Sequence, residues 1–136
     1  MTKKDFKNHF GKDDNNSKNV IKNRIQNSLK AIGNLLQNDN YKTKVMAIDI
    51  DEYGQTNAFD LGHTVILGNY FWTANMLGQD SQMGIMVHEI FHFADVGYTR
   101  DFGLIYYGKS GSQYLINNYP NAALWHADTF EYYIER

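Results

Sequence analysis

The stretch VHEIFHFADVGYTRD, residues 87–101, places His88 and His92 four positions apart, with Glu89 directly after the first histidine. Positions i and i+4 of a helix share one face, so both imidazoles can bind one zinc ion. Glu89 projects beside that face, where it can take a proton from a metal-activated water without binding the metal itself. The flanking sequence, MGIMVHEIFHF, is apolar, and unpaired polar groups would be costly there. The pattern therefore predicts a zinc site for metal-assisted hydrolysis.

A catalytic zinc ion of this kind needs a third protein ligand. A histidine in the spacing His-x-x-Gly-x-x-His is excluded, because Asp95 and Tyr98 occupy the positions of that glycine and histidine. Asp101 lies nine residues past His92, and a short loop after a helix end at Gly97 can return its carboxylate to the metal. The residues alone leave four candidates for the third ligand: Asp101, Glu131, His126 and His63.

The composition suits one globular domain over residues 1–136, of which 43% are hydrophobic and 21% charged. We expect the polar first 16 residues to be solvated and flexible. A net charge of −2 without a basic field argues against nucleic acid as a partner, and the lack of cysteine excludes disulfides and thiolate metal sites. No apolar run reaches the roughly 18–20 residues of a membrane span, and no apolar leader follows the first lysines.

Hydrophobic spacing and turn residues predict a mainly helical α+β fold with a small antiparallel sheet or hairpin. A long helix is expected from Ser17, its N-cap, to Gln37. The zinc-binding helix should begin at a cap on Asp80 or Ser81, with Met83 on its apolar face. The remaining predicted elements are a strand over 44–51, a turn over 52–57, extended chain over 58–68, a short helix or loop over 69–77, a glycine-rich loop over 97–111, and closing helices over 112–119 and 120–136.

Three motifs, in order, resemble those of the aspzincin metalloendopeptidases, a family that includes deuterolysin and the fungal peptidyl-Lys metalloendopeptidases. They are LGNYFWTANMLGQDSQMGIMVHEIFHF, GYTRDFGLIYYG and HADTFEYYIE, and the likeness runs from about Gly68 to Glu135. It implies a zincin-like protease fold, one zinc ion per chain and endopeptidase activity. Because the chain lacks cysteine, it resembles a bacterial version of the domain more than the disulfide-bonded fungal members.

Carried over residue by residue, the resemblance makes His88, His92 and Asp101 the zinc ligands and Glu89 the general base. The family's tyrosine stands three residues after the aspartate, but this chain has Leu104 there and its Tyr-Gly pair, Tyr107-Gly108, three residues later. We therefore favour Tyr107 as the residue that stabilises the oxyanion, with Tyr106 as its rival.

In the peptidyl-Lys members an Asp and a Glu of the last motif hold the lysine ammonium. They correspond to Asp128 and Glu131, which implies cleavage on the N-terminal side of lysine. The alternative is that these two carboxylates are a solvated helix face or hydrogen-bond partners of the zinc histidines.

Two further readings of the sequence compete with a peptidase. One is a structural zinc site with four protein ligands, of which His126 would be the fourth. The other is a catalytically silent peptide-binding or toxin-associated module that contains zinc. The expected partner is a peptide or protein substrate, with a cognate inhibitor or immunity protein if the domain is a delivered toxin. We expect secretion or delivery without a visible signal peptide, with a cytoplasmic location as the alternative.

Overall fold

The computed structural model of the chain describes residues 3–37, 44–56 and 63–135. Within these ranges helices pack against a small sheet, which confirms the predicted α+β class. The helices are α1 (Lys3–Phe10), α2 (Asn15–Gln37), α3 (Asn69–Thr73), α4 (Gln82–Phe91), α5 (Gly108–Asn118), α6 (Pro120–Ala123) and α7 (Ala127–Ile134). The strands are β1 (Lys44–Ala47), β2 (Gly54–Gln55) and β3 (Thr64–Leu67), and a 3₁₀ helix spans Leu104–Tyr106. No described helix is both long enough and apolar enough to cross a bilayer.

The sheet has the strand order β1-β3-β2 within the described part of the chain. β2 pairs with β3 in antiparallel fashion, with Gly54 opposite Leu67, as expected of a hairpin. β1 runs parallel to β3, with Val45 opposite Val65, so the sheet is mixed. The hydrophobic pattern did not show this parallel pairing, because it carries no information on strand direction. Residues 58–62 of the predicted extended segment lie outside the described residues.

The start of the chain differs from the solvated, flexible segment that we expected. α1 buries Phe6 and Phe10, and the ring centroid of Phe10 lies 5.5 Å from that of Phe130 in α7. α2 also begins earlier than predicted, because the Asp14 carboxylate accepts hydrogen bonds from both the backbone N–H and the hydroxyl of Ser17. Asp14, rather than Ser17, therefore satisfies the free N–H groups of the first turn.

The zinc-binding helix, α4, lies between two apolar clusters. Its Val87 and Phe91 pack with the aromatic residues of α1 and α7, and its Ile85 and Ile90 pack against β3 and α3. Ser81 is the N-cap, and its hydroxyl accepts the N–H of Gly84 at 3.0 Å. Met83 is 55% exposed, so its predicted place on the buried face is wrong. α4 ends at Phe91, before the predicted end at Gly97, and His92 is its C-cap. Burial on both sides fixes the direction in which α4 presents His88 and, at its end, His92.

The C-terminal part of the chain is more broken than the sequence suggested. α5 begins at Gly108 rather than at residue 112, and the predicted last helix is split into α6 and α7. The break occurs because His126 is extended (φ −107°, ψ 123°) and forms a parallel bridge with Arg100. In this bridge the Arg100 N–H donates to the Trp125 carbonyl at 2.8 Å. The bridge brings the loop that carries Asp101 back towards α4.

Candidate metal centre and active-site cleft

His88, His92 and Asp101 meet at the floor of a cleft of about 930 Å³. The Nε2 atom of His88 lies 3.2 Å from Asp101 Oδ1, and that of His92 lies 3.3 Å from Asp101 Oδ2. Potential ligand atoms of the three residues all lie within 4.8 Å of one another. The loop after α4 therefore returns the carboxylate to the two imidazoles, and of the four candidates Asp101 is the one that faces both Nε2 atoms.

The second nitrogen of each imidazole contacts a group that fixes the ring. His92 Nδ1 lies 2.9 Å from the Thr99 carbonyl oxygen, to which it can donate its proton. His88 Nδ1 lies 2.7 Å from Asp128 Oδ1 and 3.1 Å from Glu131 Oε2. Donation from Nδ1 leaves the lone pair of each Nε2 free and aimed at Asp101, which is the tautomer that a metal ligand needs.

The donor set fits a divalent cation between the two Nε2 atoms and Asp101. Asp101 Oδ1 is buried and accepts no hydrogen bond from any described residue, although it faces His88 Nε2. A second possible donor group joins His88 with Asp128 and Glu131, but its contacts to Nδ1 have the lengths of hydrogen bonds. Two imidazoles and one carboxylate beside an open cleft are a typical catalytic zinc set.

The charges around His88 and Asp101 favour a cation at this place. Burial disfavours a charged imidazole, but contacts with Asp101, Asp128 and Glu131 outweigh it and raise the pKa of His88 well above its usual value. Burial would likewise raise the pKa of Asp101, yet the close approach and charge of His88 and His92 hold it far below the usual range. The pocket is therefore built to hold positive charge against ionised carboxylates.

Glu89 lies beside this group and is 5% exposed. Its Oε2 atom is buried without a hydrogen-bond partner among the described residues. Burial raises the pKa of Glu89, while the nearby charges of His88 and His92 act in the opposite direction. Strand β2 passes directly over this carboxylate: a Cβ added to Gly54 would lie 2.9 Å from Glu89 Oε1. A side chain at position 54 would therefore have to displace the Glu89 carboxylate.

The two candidate tyrosines have different surroundings. Tyr107 is 47% exposed and lines the cleft together with Glu89 and Asp101. Burial, followed by the charge of Asp101 and a hydrogen bond with it, raises the pKa of the Tyr107 phenol to about 12. Tyr106 is partly buried and packs against a cluster formed by α5 and α6. The structure thus places Tyr107, and not Tyr106, where a donor could face a reacting carbonyl.

The other histidines considered as ligands lie elsewhere. His126 is fully buried, and its Nδ1 lies 3.2 Å from the hydroxyl of Thr129. His63 Nε2 lies 2.7 Å from Asp95 Oδ1. Within the described ranges, neither histidine belongs to a group of side chains that could hold a metal ion.

Three features of the site have no clear signal in the sequence. The Thr99 carbonyl that orients His92 is a backbone group, and Gly54 lies in a segment read as a turn. The third is the carboxylate of Glu135, which accepts hydrogen bonds from the N–H groups of Asp80 and Ser81 and so ties α7 to the start of α4. Only a conserved pattern across relatives, or the structure itself, could have indicated them.

A helix-borne His-Glu-x-x-His set, completed by an aspartate from the following loop and open to a cleft, defines the class of metal-dependent hydrolases. The family model described as lysine-specific metallo-endopeptidase, an aspzincin family, matches residues 1–135, and the chain belongs to this family. The likeness stated from the three motifs is thereby confirmed. Zinc is the metal that the family and a structural neighbour imply.

The chain is also similar to individual proteins. It is 41% identical over 76 residues to an extracellular protease of Aeromonas hydrophila, covering 56% of this chain and 21% of that protein. It is 36% identical over 87 residues to a peptidyl-Lys metalloendopeptidase of Pleurotus ostreatus, covering 64% and 49%. A zinc peptidase from Grifola frondosa has a similar structure, with a TM-score of 0.62 and 30% identity over 82% of this chain and 68% of that one. The chain spans at most about half the length of these curated relatives.

Proposed function

We propose that this chain is a zinc-dependent endopeptidase that cleaves peptide bonds on the N-terminal side of lysine. One observation carries the activity: the buried Glu89 carboxylate has an oxygen without a hydrogen-bond partner among the described residues and lines an open cleft together with three convergent metal donors. The names of the fungal relatives, peptidyl-Lys metalloendopeptidases, support the choice of lysine.

The residues divide the chemistry between them. Zinc held by His88, His92 and Asp101 would supply a Lewis acid that polarises the scissile carbonyl and makes water acidic. Glu89 takes the proton of the attacking water and passes it to the leaving amine, and its raised pKa makes it a better proton acceptor. Tyr107 donates its phenolic hydrogen to the developing oxyanion. A pKa of about 12 keeps that phenol protonated at neutral pH.

Strand β2 gives the substrate a place to bind in extended form. It lies at the edge of the described sheet, in the order β1-β3-β2, and Gly54 lies against Glu89. A peptide that pairs with the edge of β2 left unpaired by the described residues would add a strand to the sheet and bring its backbone close to the general base.

The lysine preference rests on Asp128 and Glu131, which line the cleft. Asp128 Oδ1 contacts His88, and Asp128 Oδ2 accepts the Gly108 N–H at 2.6 Å, so this carboxylate also orients a zinc ligand. Burial raises the pKa of Glu131 to about 7. An ammonium ion in the pocket would compensate that burial and favour the ionised form of Glu131, which gives a lysine side chain a physical reason to bind.

The test is to map new N-termini in a denatured protein mixture treated with the zinc-loaded protein. The Glu89→Gln variant is the matched control, because it keeps the size and most of the packing of the side chain but loses the base. We expect new termini that begin with lysine and depend on Glu89. Termini without lysine enrichment would contradict the specificity. No new termini at all would favour the catalytically silent peptide-binding module.

We further propose that residues 1–136 act as a single catalytic domain outside the cell. The Aeromonas relative, an extracellular protease, supports that location. A cognate inhibitor or immunity protein, expected for a delivered toxin, stays a prediction from the sequence.

A further inference from the structure

Two consecutive aliphatic side chains stand in solvent beside the catalytic groups. Leu104 is 89% exposed and Ile105 is 76% exposed. Both belong to the 3₁₀ helix that lies between Asp101 and Tyr107. A single exposed leucine needs no explanation, but a neighbouring pair this open at the edge of a functional cleft is a feature of binding surfaces.

The exposure is imposed by the way in which this helix is anchored. Tyr106 points the other way and packs against the cluster of α5 and α6. α5 approaches so closely that a Cβ on Gly111 would lie 2.2 Å from the Tyr106 carbonyl carbon. With Tyr106 held beneath α5, Leu104 and Ile105 stay turned outwards.

Gly103 and Gly108 flank the segment with φ angles of +102° and +73°. Residues with side chains rarely adopt these angles, so the two glycines permit the tight turns on either side of the helix. The aliphatic pair is therefore presented on a short, anchored turn next to the catalytic groups.

Leu104 lines the same cleft as Glu89, Asp101 and Tyr107. We propose that Leu104, extended by Ile105, forms an apolar subsite that binds an aliphatic or aromatic side chain of the substrate close to the scissile bond. This inference rests on the proposed peptidase function. The occupant is the substrate because Leu104 lines the cleft in which the reacting bond must lie, and Ile105 follows it directly in the same 3₁₀ helix.

An extended peptide presents its side chains alternately on two sides, so one of those near the scissile bond can face this wall of the cleft. An apolar side chain there would cover Leu104 and remove both surfaces from water. The gain in an apolar subsite is about tenfold or more in kcat/KM. The proposal thus adds a second selective contact, provided by Leu104, to the one that Asp128 and Glu131 provide in the same cleft.

The test compares peptides that contain one lysine, directly after the scissile bond, and carry either leucine or glycine at each of the other positions close to that bond. The parent should prefer leucine at one of these positions. In Leu104→Asn/Ile105→Asn the leucine-to-glycine ratio of kcat/KM at that position should fall about tenfold.

The matched control is Met76→Asn/Leu77→Asn, which changes another exposed apolar pair, 71% exposed at each residue, that does not line the cleft. Its ratio should equal that of the parent. A second measurement follows binding of the leucine peptide to Glu89→Gln protein with and without the Leu104→Asn/Ile105→Asn change, where affinity should fall by a similar factor.

A parent that cleaves at lysine without a leucine preference at any flanking position would overturn the subsite and leave the proposed function standing. An unchanged ratio in the Leu104→Asn/Ile105→Asn variant, or an equal change in the control, would also overturn it. A shift from dimer to monomer in that variant with unaltered selectivity would assign the pair to a second copy of the chain instead. No cleavage by the parent would refute the peptidase itself.

Discussion

Replacing Gly84 by alanine tests how α4 is held against α7. Gly84 lies on the buried side of α4, and an added Cβ would be 1.8 Å from Glu135 Oε1 and 2.9 Å from Glu131 Oε1. The first of these atoms is the end of a flexible side chain, so it can move away. Its movement would break the hydrogen bonds that Glu135 accepts from the backbone of Asp80 and from the backbone and hydroxyl of Ser81, at 2.8–3.1 Å.

The size of the effect follows from these contacts. Each partly exposed hydrogen bond contributes about 1 kcal/mol to the free energy of unfolding, so losing all of them costs about 3 kcal/mol. Alanine in place of glycine within a helix increases the free energy of unfolding by about 1 kcal/mol. Gly84→Ala should therefore destabilise the protein by about 2 kcal/mol, which lowers Tm by roughly 6 °C for a chain of this length.

The assay is thermal and urea unfolding of zinc-loaded protein. Gly33→Ala is the matched control, because Gly33 lies within α2 and no neighbour in the described part of the chain comes within 4 Å of its added Cβ. That variant should be slightly more stable than the parent. In a Glu135→Ala background the cost of Gly84→Ala should shrink, since the displaced partner is gone. Gly84→Ala protein as stable as the parent, or more stable, would refute the reasoning.

Other predictions concern the metal, the oxyanion donor and acid stability. Chelation of zinc should lower the Tm of the parent but not that of His92→Ala, because zinc at 100 times its Kd adds about 2.7 kcal/mol to the free energy of unfolding. Equal shifts of Tm in the two proteins would argue against the metal site. Tyr107→Phe should lower kcat about 100-fold at unchanged zinc content, whereas Tyr106→Phe should affect mainly Tm. A larger loss of kcat in Tyr106→Phe than in Tyr107→Phe, measured by steady-state kinetics, would contradict the role of Tyr107. Burial lowers the pKa of His126 from 6.5 to about 4, so the unfolded chain binds more protons below pH 6.5. Acidification from pH 6.5 to 4 should therefore cost about 3 kcal/mol of stability, and His126→Asn should remove that part of the slope in urea titrations at each pH.

The helices and strands of this protein were predicted correctly where they depend on residues close together in the sequence. The spacing of apolar residues indicated α2 and α4, and Ser81 was one of two predicted caps for α4. The last predicted helix failed at residues 124–126 because the bridge between Arg100 and His126 depends on a partner 26 positions away. α1 was missed because Phe6 and Phe10 become a buried face only when α7 is present to cover them.

By itself, the sequence determined that His88 and His92 lie on one face of a helix with Glu89 beside them, because positions i and i+4 share a face on any helix. It also determined the family, through three motifs in order. Only the tertiary structure decided that Asp101, rather than Glu131 or another candidate, faces both Nε2 atoms, and that Tyr107 rather than Tyr106 enters the cleft. These choices depend on how a loop folds back and on which side chain finds room in the core. Such contacts join residues distant in the chain, and spacing along the chain does not record them.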